Sequence, residues 1–154
     1  MIGHLKYHGV TALRREVESY LRDYALKRSM PFPWEKENRI TIVPMPLADK
    51  RKRERGFNQA HWIGERLRHA LLPNAEHLQI LERAPTAIPQ ATIQDPEIRK
   101  ANVRGGFICT KTVDGAVILV DDVITTGATA REAVRALKEE GIARVYIFTL
   151  ALGR

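Results

Sequence analysis

The chain has 154 residues, 25 Lys/Arg against 18 Asp/Glu, a formal net charge of +7 and one cysteine. That length suits a single domain, 1–154, with one adequate core. A lone Cys109 excludes an internal disulfide and a cysteine-built zinc cage. No stretch approaches the ~20 apolar residues that span a bilayer, and no apolar leader opens the chain, so a cytoplasmic location without a membrane span is expected. The charge is uneven. Residues 1–60 hold 13 Lys/Arg against 7 Asp/Glu, whereas residues 61–154 hold 12 against 11. A basic excess suits polyanions, pyrophosphate or nucleic acid, without choosing between them.

In chain order, Val10, Leu13, Val17, Leu21 and Tyr24 recur at helical steps and predict an amphipathic helix over 10–28. Pro31 and Pro33 follow and end it. Ile40, Thr41, Ile42 and Val43 are all β-branched and predict a buried strand. Ala60, Ile63, Gly64, Leu67 and Leu71 mark a second helix, closed by Pro73, and a short strand is expected at 78–81. Residues 82–100 carry three prolines and no periodicity, which predicts a long loop; such loops are functional or disordered. A strand at 117–120, a helix through Ala130, Ala133, Val134 and Leu137, Gly141 as its C′ residue and a strand at 145–150 complete the pattern. Strands alternating with helices predict an α/β fold, a mostly parallel sheet flanked by helices.

The most informative run is 117–129. Val117, Ile118, Leu119 and Val120 read as a buried parallel strand ending in the adjacent carboxylates Asp121 and Asp122. Thr125, Thr126, Gly127, Ala128 and Thr129 then turn into a helix. Ligands of open α/β sheets bind beyond the carboxyl ends of the strands. Backbone N–H groups at a helix N-terminus favour a phosphate there. Asp121 and Asp122 suit hydroxyl groups or a metal ion instead. The loop thus matches a sugar phosphate. Neither a GxxxxGK[ST] phosphate loop nor GxGxxG occurs, which removes the common competitors.

Val43, Pro44, Met45, Pro46 and Leu47 follow the first strand, and a Pro-x-Pro turn fixes backbone shape. The basic run Lys50, Arg51, Lys52, Arg53 and Arg55 comes next. As a bland reading it is a solvated face. Beside a pyrophosphate it would offset charge, with Arg55 the strongest candidate because arginine forks onto phosphate oxygens. Gly56 permits close approach, and Asn58 is a plausible N-cap for the second helix. Along the long loop stand Arg83, Thr86, Gln90, Arg99 and Asn102. Cys109 reads as a core thiol, and Trp34 and Trp62 as packing residues. The five histidines show no metal-ligand spacing, and solvent-facing roles are expected for them.

The 117–129 run resembles the phosphoribosyl-pyrophosphate (PRPP) motif of type I phosphoribosyltransferases. Together with Lys6 and Tyr7, the 43–46 turn, Arg55 through Gln59 and the Arg83, Gln90, Arg99, Asn102 loop, the chain is similar to the ComF-like group, related to the phosphoribosyltransferase domain of amidophosphoribosyltransferases. The resemblance implies the type I fold, with 1–39 as an amino-terminal hood and 40–154 as the core. It implies that Asp121 and Asp122 hold ribose hydroxyls and that 125–129 wraps the 5′-phosphate. Met45, Pro46, Leu47, Ala48 and Asp49, with Lys52, would bind pyrophosphate, and a mobile loop bearing Arg83, Gln90 and Arg99 would close over PRPP. Mg²⁺ is the implied cofactor, met by Asp121 and Asp122 indirectly through substrate and water, and a homodimer is implied as well. Members commonly carry a cysteine-rich zinc ribbon before the Lys-Tyr segment; this sequence has none.

Two functions remain open. One is an enzyme passing ribose 5-phosphate to an unidentified nitrogenous acceptor, with Asp121, Asp122 and Arg55 as its catalytic residues. The other is a module with a PRPP pocket that binds single-stranded DNA in competence or responds to PRPP as a regulator.

Overall fold

The run of apolar residues before the two acids is buried on both faces, and this sets the architecture. In the computed structural model, which describes residues 10–47, 57–84 and 106–153 with side chains from Glu16 onward, Ala116, Val117, Ile118, Leu119 and Val120 are all fully buried. They open strand β5 (Ala116–Ile124), which pairs in parallel with β1 (Ile40–Pro44) on one side and β6 (Arg144–Leu152) on the other. A third parallel pairing adds β2 (Glu76–His77) outside β1, giving the order β2-β1-β5-β6. Helix α1 (Val10–Lys27) precedes the sheet, α2 (Gln59–Leu71) links β1 to β2, and α3 (Ala128–Glu139) links β5 to β6. Between them, β3 (Leu81–Arg83) and β4 (Phe107–Cys109) form a separate antiparallel pair.

Alternation along the strands divides the core. Val43, Val117 and Leu119 pack with Ala133 and Leu137 of α3 and with Leu81 and Phe107 of the β3–β4 pair. Ile42, Ile118 and Val120 pack on the other side with Ile63 and Leu67 of α2 and with Trp34. Burying one such aliphatic side chain stabilises by about 1.5–3 kcal/mol, so β5 anchors both layers. Trp34 stacks on Phe32 at 4.7 Å, and Trp62 lies against the same cluster. Cys109 is buried, donates to the Lys111 carbonyl at 3.3 Å, and burial holds its thiol above the ordinary value. Gly141, at φ +94°, is the expected C′ residue. Its N–H reaches Lys138 O, and Ile142 N–H reaches Leu137 O, which together close a Schellman motif. An ion pair between Arg66 and Glu18 at 2.7 Å, largely shielded from water, fixes α1 to α2.

Four expectations need correction. The strand expected at 78–81 is instead mostly the connection between two strands, β2 ending at His77 and β3 beginning at Leu81. Leu78 N–H still bonds to Ile42 O at 3.0 Å, after which Ile80 and Leu81 bury in the layer beneath α3. One apolar run therefore serves two sheets. The long loop does not begin at 82, because Glu82 and Arg83 pair with Ile108 and Phe107. Strands β5 and β6 both run past the expected 117–120 and 145–150, because their pairing continues through Asp121 with Thr149 to Ile124 with Leu152. Finally, His77 does not face solvent: its side chain is 5% exposed and meets Glu65. Burial lowers the His77 pKa despite the Glu65 hydrogen bond; burial raises Glu65, but His77 and the neighbouring cations bring it below its ordinary value.

Gly64 lets α2 lie close to the sheet. A Cβ there would sit 2.8 Å from His77 Nε2 and 3.1 Å from Ile42 Cγ2. Alanine favours a helix interior by about 1 kcal/mol over glycine, whereas overpacking a filled core costs about 1–3 kcal/mol. Ile42 is fully buried and cannot yield, so the clash wins. Gly64→Ala is expected to lower stability by roughly 1–2 kcal/mol in urea unfolding, and a stabilised variant would contradict this packing.

Candidate functional site

Strands β1 and β5 are neighbours, but the chain leaves them in opposite directions, β1 outward to β2 and β5 outward to β6. This is a topological switch point, and the loops beyond the two carboxyl ends part to leave a crevice. A cleft of about 620 Å³ lies there. It is lined by Met45, Pro46 and Leu47 after β1, by Asn58, Gln59 and Ala60 at the start of α2, by Arg83, and by every residue from Asp121 to Ala130.

Each wall is tied down. Met45 N–H donates to Val120 O at 2.8 Å, so the loop after β1 continues the sheet into the cleft. Asn58 caps α2 as expected, its Oδ1 accepting from Ala60 N–H at 3.0 Å, while its Nδ2 donates to Met45 O at 3.0 Å. One amide thereby joins the helix start to the loop. Arg83 donates from Nε to Pro46 O at 3.2 Å, and its guanidinium lies 5.0 Å from the Phe107 ring centre. It is the last residue of β3 and lines the cleft, at the near end of the expected loop.

Asp121 and Asp122 are half-buried at the end of β5. Each accepts the next residue's N–H at its Oδ1, Asp122 N–H on Asp121 and Val123 N–H on Asp122, both at 2.9 Å. Thr149 of β6 donates to Asp122 O at 3.1 Å and steadies the same peptide. Both residues line the cleft, and neither belongs to the buried core.

The turn beyond them ends in Gly127 at φ +73°, a left-handed conformation that costs other residues roughly 1–2 kcal/mol. Gly127 is the N-cap of α3, and it lends no side chain to the helix start. Thr126 Oγ1 accepts from Ala128 N–H at 3.4 Å. The first turn of α3 holds no acidic residue, so no carboxylate of its own offsets the positive dipole end at the cleft. Gly153, just past β6, abuts this turn: its N–H donates to Ile124 O at 2.8 Å, and a Cβ on it would fall 2.6 Å from Thr125 Cγ2.

The structure thus brings together Met45, Pro46, Leu47, Asp121, Asp122, Thr125, Thr126, Gly127, Ala128, Thr129 and Arg83 around one cavity. Ala48, Asp49, Lys52, Arg55, Gln90 and Arg99 lie outside the described residues. Two further residues were missed. Gln59 is 9% exposed in the cleft wall, and its Oε1 has no partner among the described residues. Arg131, one turn into α3, brings Nη1 within 3.2 Å of where a Gly127 Cβ would stand, placing a cation over the turn. The four-residue spacing from Gly127 was the available signal for Arg131. Gln59 offered none, since it read as a helix start.

Fold and cleft define the class: this is the type I phosphoribosyltransferase fold. Residues 108–154 match the phosphoribosyl transferase domain family. The fold matches a solved structure described as the allosteric regulatory enzyme of purine biosynthesis, with TM-score 0.50 and 16% identity over 89% of this chain and 26% of that one. Within that class the chain is similar to proteins of the ComF-like group. It is 31% identical to Competence protein ComFC of Bacillus subtilis (strain 168), over 87% of this chain and 52% of the relative. It is 31% identical to Competence protein F of Haemophilus influenzae, over 71% and 49%, and 34% identical to DNA utilization protein YhgH of Salmonella typhi, over 71% and 48%. The chain therefore spans about half the length of these curated relatives.

The double duty of Asn58 can be tested. Asn58→Ala loses a cap worth about 1 kcal/mol and a tether worth about 1 kcal/mol, and should lower urea stability by roughly the sum. Asn58→Asp keeps the cap acceptor but not the donor to Met45, and should recover about half of that loss.

Proposed function

We propose that the cleft binds PRPP and that the protein transfers its phosphoribosyl group to a nitrogenous acceptor, releasing pyrophosphate. The observation that carries this reading is the meeting, at one switch point, of paired carboxylates with an uncapped helix N-terminus. Carboxylates accept hydrogen bonds from sugar hydroxyls, while N–H groups at a helix start bind a phosphate. Their separation along one loop fits ribose 5-phosphate lying across β5.

In this reading the turn 125–129 holds the 5′-phosphate through backbone N–H groups and threonine hydroxyls, turning phosphate binding energy into alignment of C1′. Arg131 adds a cation behind that turn. Asp121 and Asp122 take the ribose 2′- and 3′-hydroxyls, and their negative charge stabilises the positive character that develops on the ring. Met45, Pro46 and Leu47 form the floor beneath the pyrophosphate; Ala48, Asp49, Lys52 and Arg55, outside the described residues, are assigned to the same group on the resemblance. Arg83 completes the cationic wall. The C1′–O bond breaks with its electron pair leaving on pyrophosphate, and the acceptor nitrogen supplies the pair that forms C1′–N. Gln59 offers an unpaired buried amide oxygen for a polar group of the bound substrate. The half-buried carboxylates beside a roomy cleft fit Mg²⁺, which takes few protein ligands and several substrate or water oxygens; when bound, it would neutralise the pyrophosphate charge.

Asp121→Asn with Asp122→Asn should abolish PRPP binding. Charge-assisted hydrogen bonds contribute about 1.5–3 kcal/mol each, so losing two weakens binding by roughly 100-fold or more. Isothermal titration with Mg²⁺-PRPP measures this, with circular dichroism to show an intact fold. Unchanged heats in the double variant would remove the assignment. Pyrophosphate release in the presence of mixed bases and amines tests the transfer itself.

A second reading has its own support, because the relatives are named for competence and DNA utilization. In it, the PRPP pocket serves sensing and the basic run 50–53 holds single-stranded DNA. Affinity for a labelled oligonucleotide should then fall steeply between low and high salt, without base preference. Anisotropy that ignores salt and charge reversal of Lys50, Arg51, Lys52 and Arg53 would eliminate it.

A further inference from the structure

On the outer edge of the sheet, away from the cleft, α2 and β2 bring two imidazoles and one carboxylate together. His61 and Glu65 stand four residues apart on one face of α2, and His77 comes from β2, which pairs through Ile42 with β1. One ligand atom from each lies within 4.8 Å of the other two. The His61 and His77 rings stack at 4.5 Å, and His77 Nδ1 meets Glu65 Oε1 in a short contact. His77 Nε2 is buried without a partner among the described residues. None of the three lines the PRPP cleft.

We infer that His61, Glu65 and His77 form a binding site for a divalent transition-metal ion, best matched by zinc(II), that clamps α2 to strand β2. Two imidazole nitrogens and a carboxylate oxygen are a donor set suited to zinc, whereas Mg²⁺ prefers oxygen alone. Ligands about 2.0–2.2 Å from a tetrahedral zinc stand roughly 3.4 Å apart. The cluster is within about an ångström and a half of that spacing, and turning the exposed His61 ring closes it. The ion takes the place of the proton between His77 Nδ1 and Glu65 Oε1, and the exposed side beyond His61 leaves a fourth position for water. Arg68 at 3.8 Å and His69 at 3.6 Å face the second carboxylate oxygen and hold the far side of Glu65.

The test uses the full chain, stripped with chelator and titrated with zinc chloride by calorimetry and with cobalt(II) by visible absorption. One equivalent should bind, cobalt should give the intense bands of a four-coordinate ion, and zinc should raise the melting temperature. His61→Gln, at an exposed position, and Glu65→Gln should each weaken binding by about 100-fold or more, since even outer partners of metal ligands are worth 10–100-fold. His4→Gln with His8→Gln should bind as the parent does, which separates this cluster from the other histidine pair. Absence of saturable one-to-one binding overturns the inference, as does zinc affinity retained by folded His61→Gln or lost in His4→Gln with His8→Gln. PRPP titration of His61→Gln should match the parent, so failure here and failure of the cleft assignment are told apart.

Discussion

The parallel pairing of β1 with β5 is the constraint on which the rest depends. Five consecutive ladder pairs, from Ile40 with Ala116 to Pro44 with Val120, align the carboxyl ends of the two strands. The Met45 bond to Val120 then carries that alignment one residue past the sheet. A one-residue slip would exchange the two faces of β5. It would set Val117 and Leu119 against Trp34, and it would move both acids relative to the loop opposite. The continuous apolar run makes burial possible on either side, so helix packing, with Ala133 and Leu137 against one face and Ile63 and Leu67 against the other, has to select the register.

The cleft concentrates opposite electrostatic characters in a short length of chain. The carboxylates sit where β5 is still paired with β6, on rigid backbone. The anion-seeking groups sit on the turn and the first coil of α3, where N–H groups lack internal acceptors. Because one segment carries both, their spacing is set by covalent geometry rather than by docking of separate elements. The opposite wall is held differently, by single side-chain bonds from Asn58 and Arg83 to the carbonyls of Met45 and Pro46. The two walls are therefore built differently, one by ladder pairing and the other by single side-chain bonds.

What could be read from the chain follows the range of the interactions involved. The β5, turn and α3 sequence was legible because strand, acids, hydroxyls and glycine are contiguous. Gly141 and Asn58 were legible because caps are local. The extensions of β5 and β6 were not, since Asp121 and Thr149 join the ladder only because a neighbouring strand is there to pair with. Arg83 read as loop because its three-residue strand exists only through pairing with Phe107 to Cys109. Gln59 and Arg131 take their meaning from what lies across the cleft. The His61, Glu65 and His77 cluster was invisible for the same reason: twelve residues separate Glu65 from His77, and only the α2–β2 crossover reunites them. The basic run and the far part of the long loop lie outside the described residues.

Gly153 has a practical corollary. Its lack of a side chain lets the residue after the ladder lie against the methyl of Thr125, so the end of β6 buttresses the bend that leads into α3. A side chain at 153 would have to displace that methyl, so enlarging this residue disturbs the bend while leaving Asp121 and Asp122 in place.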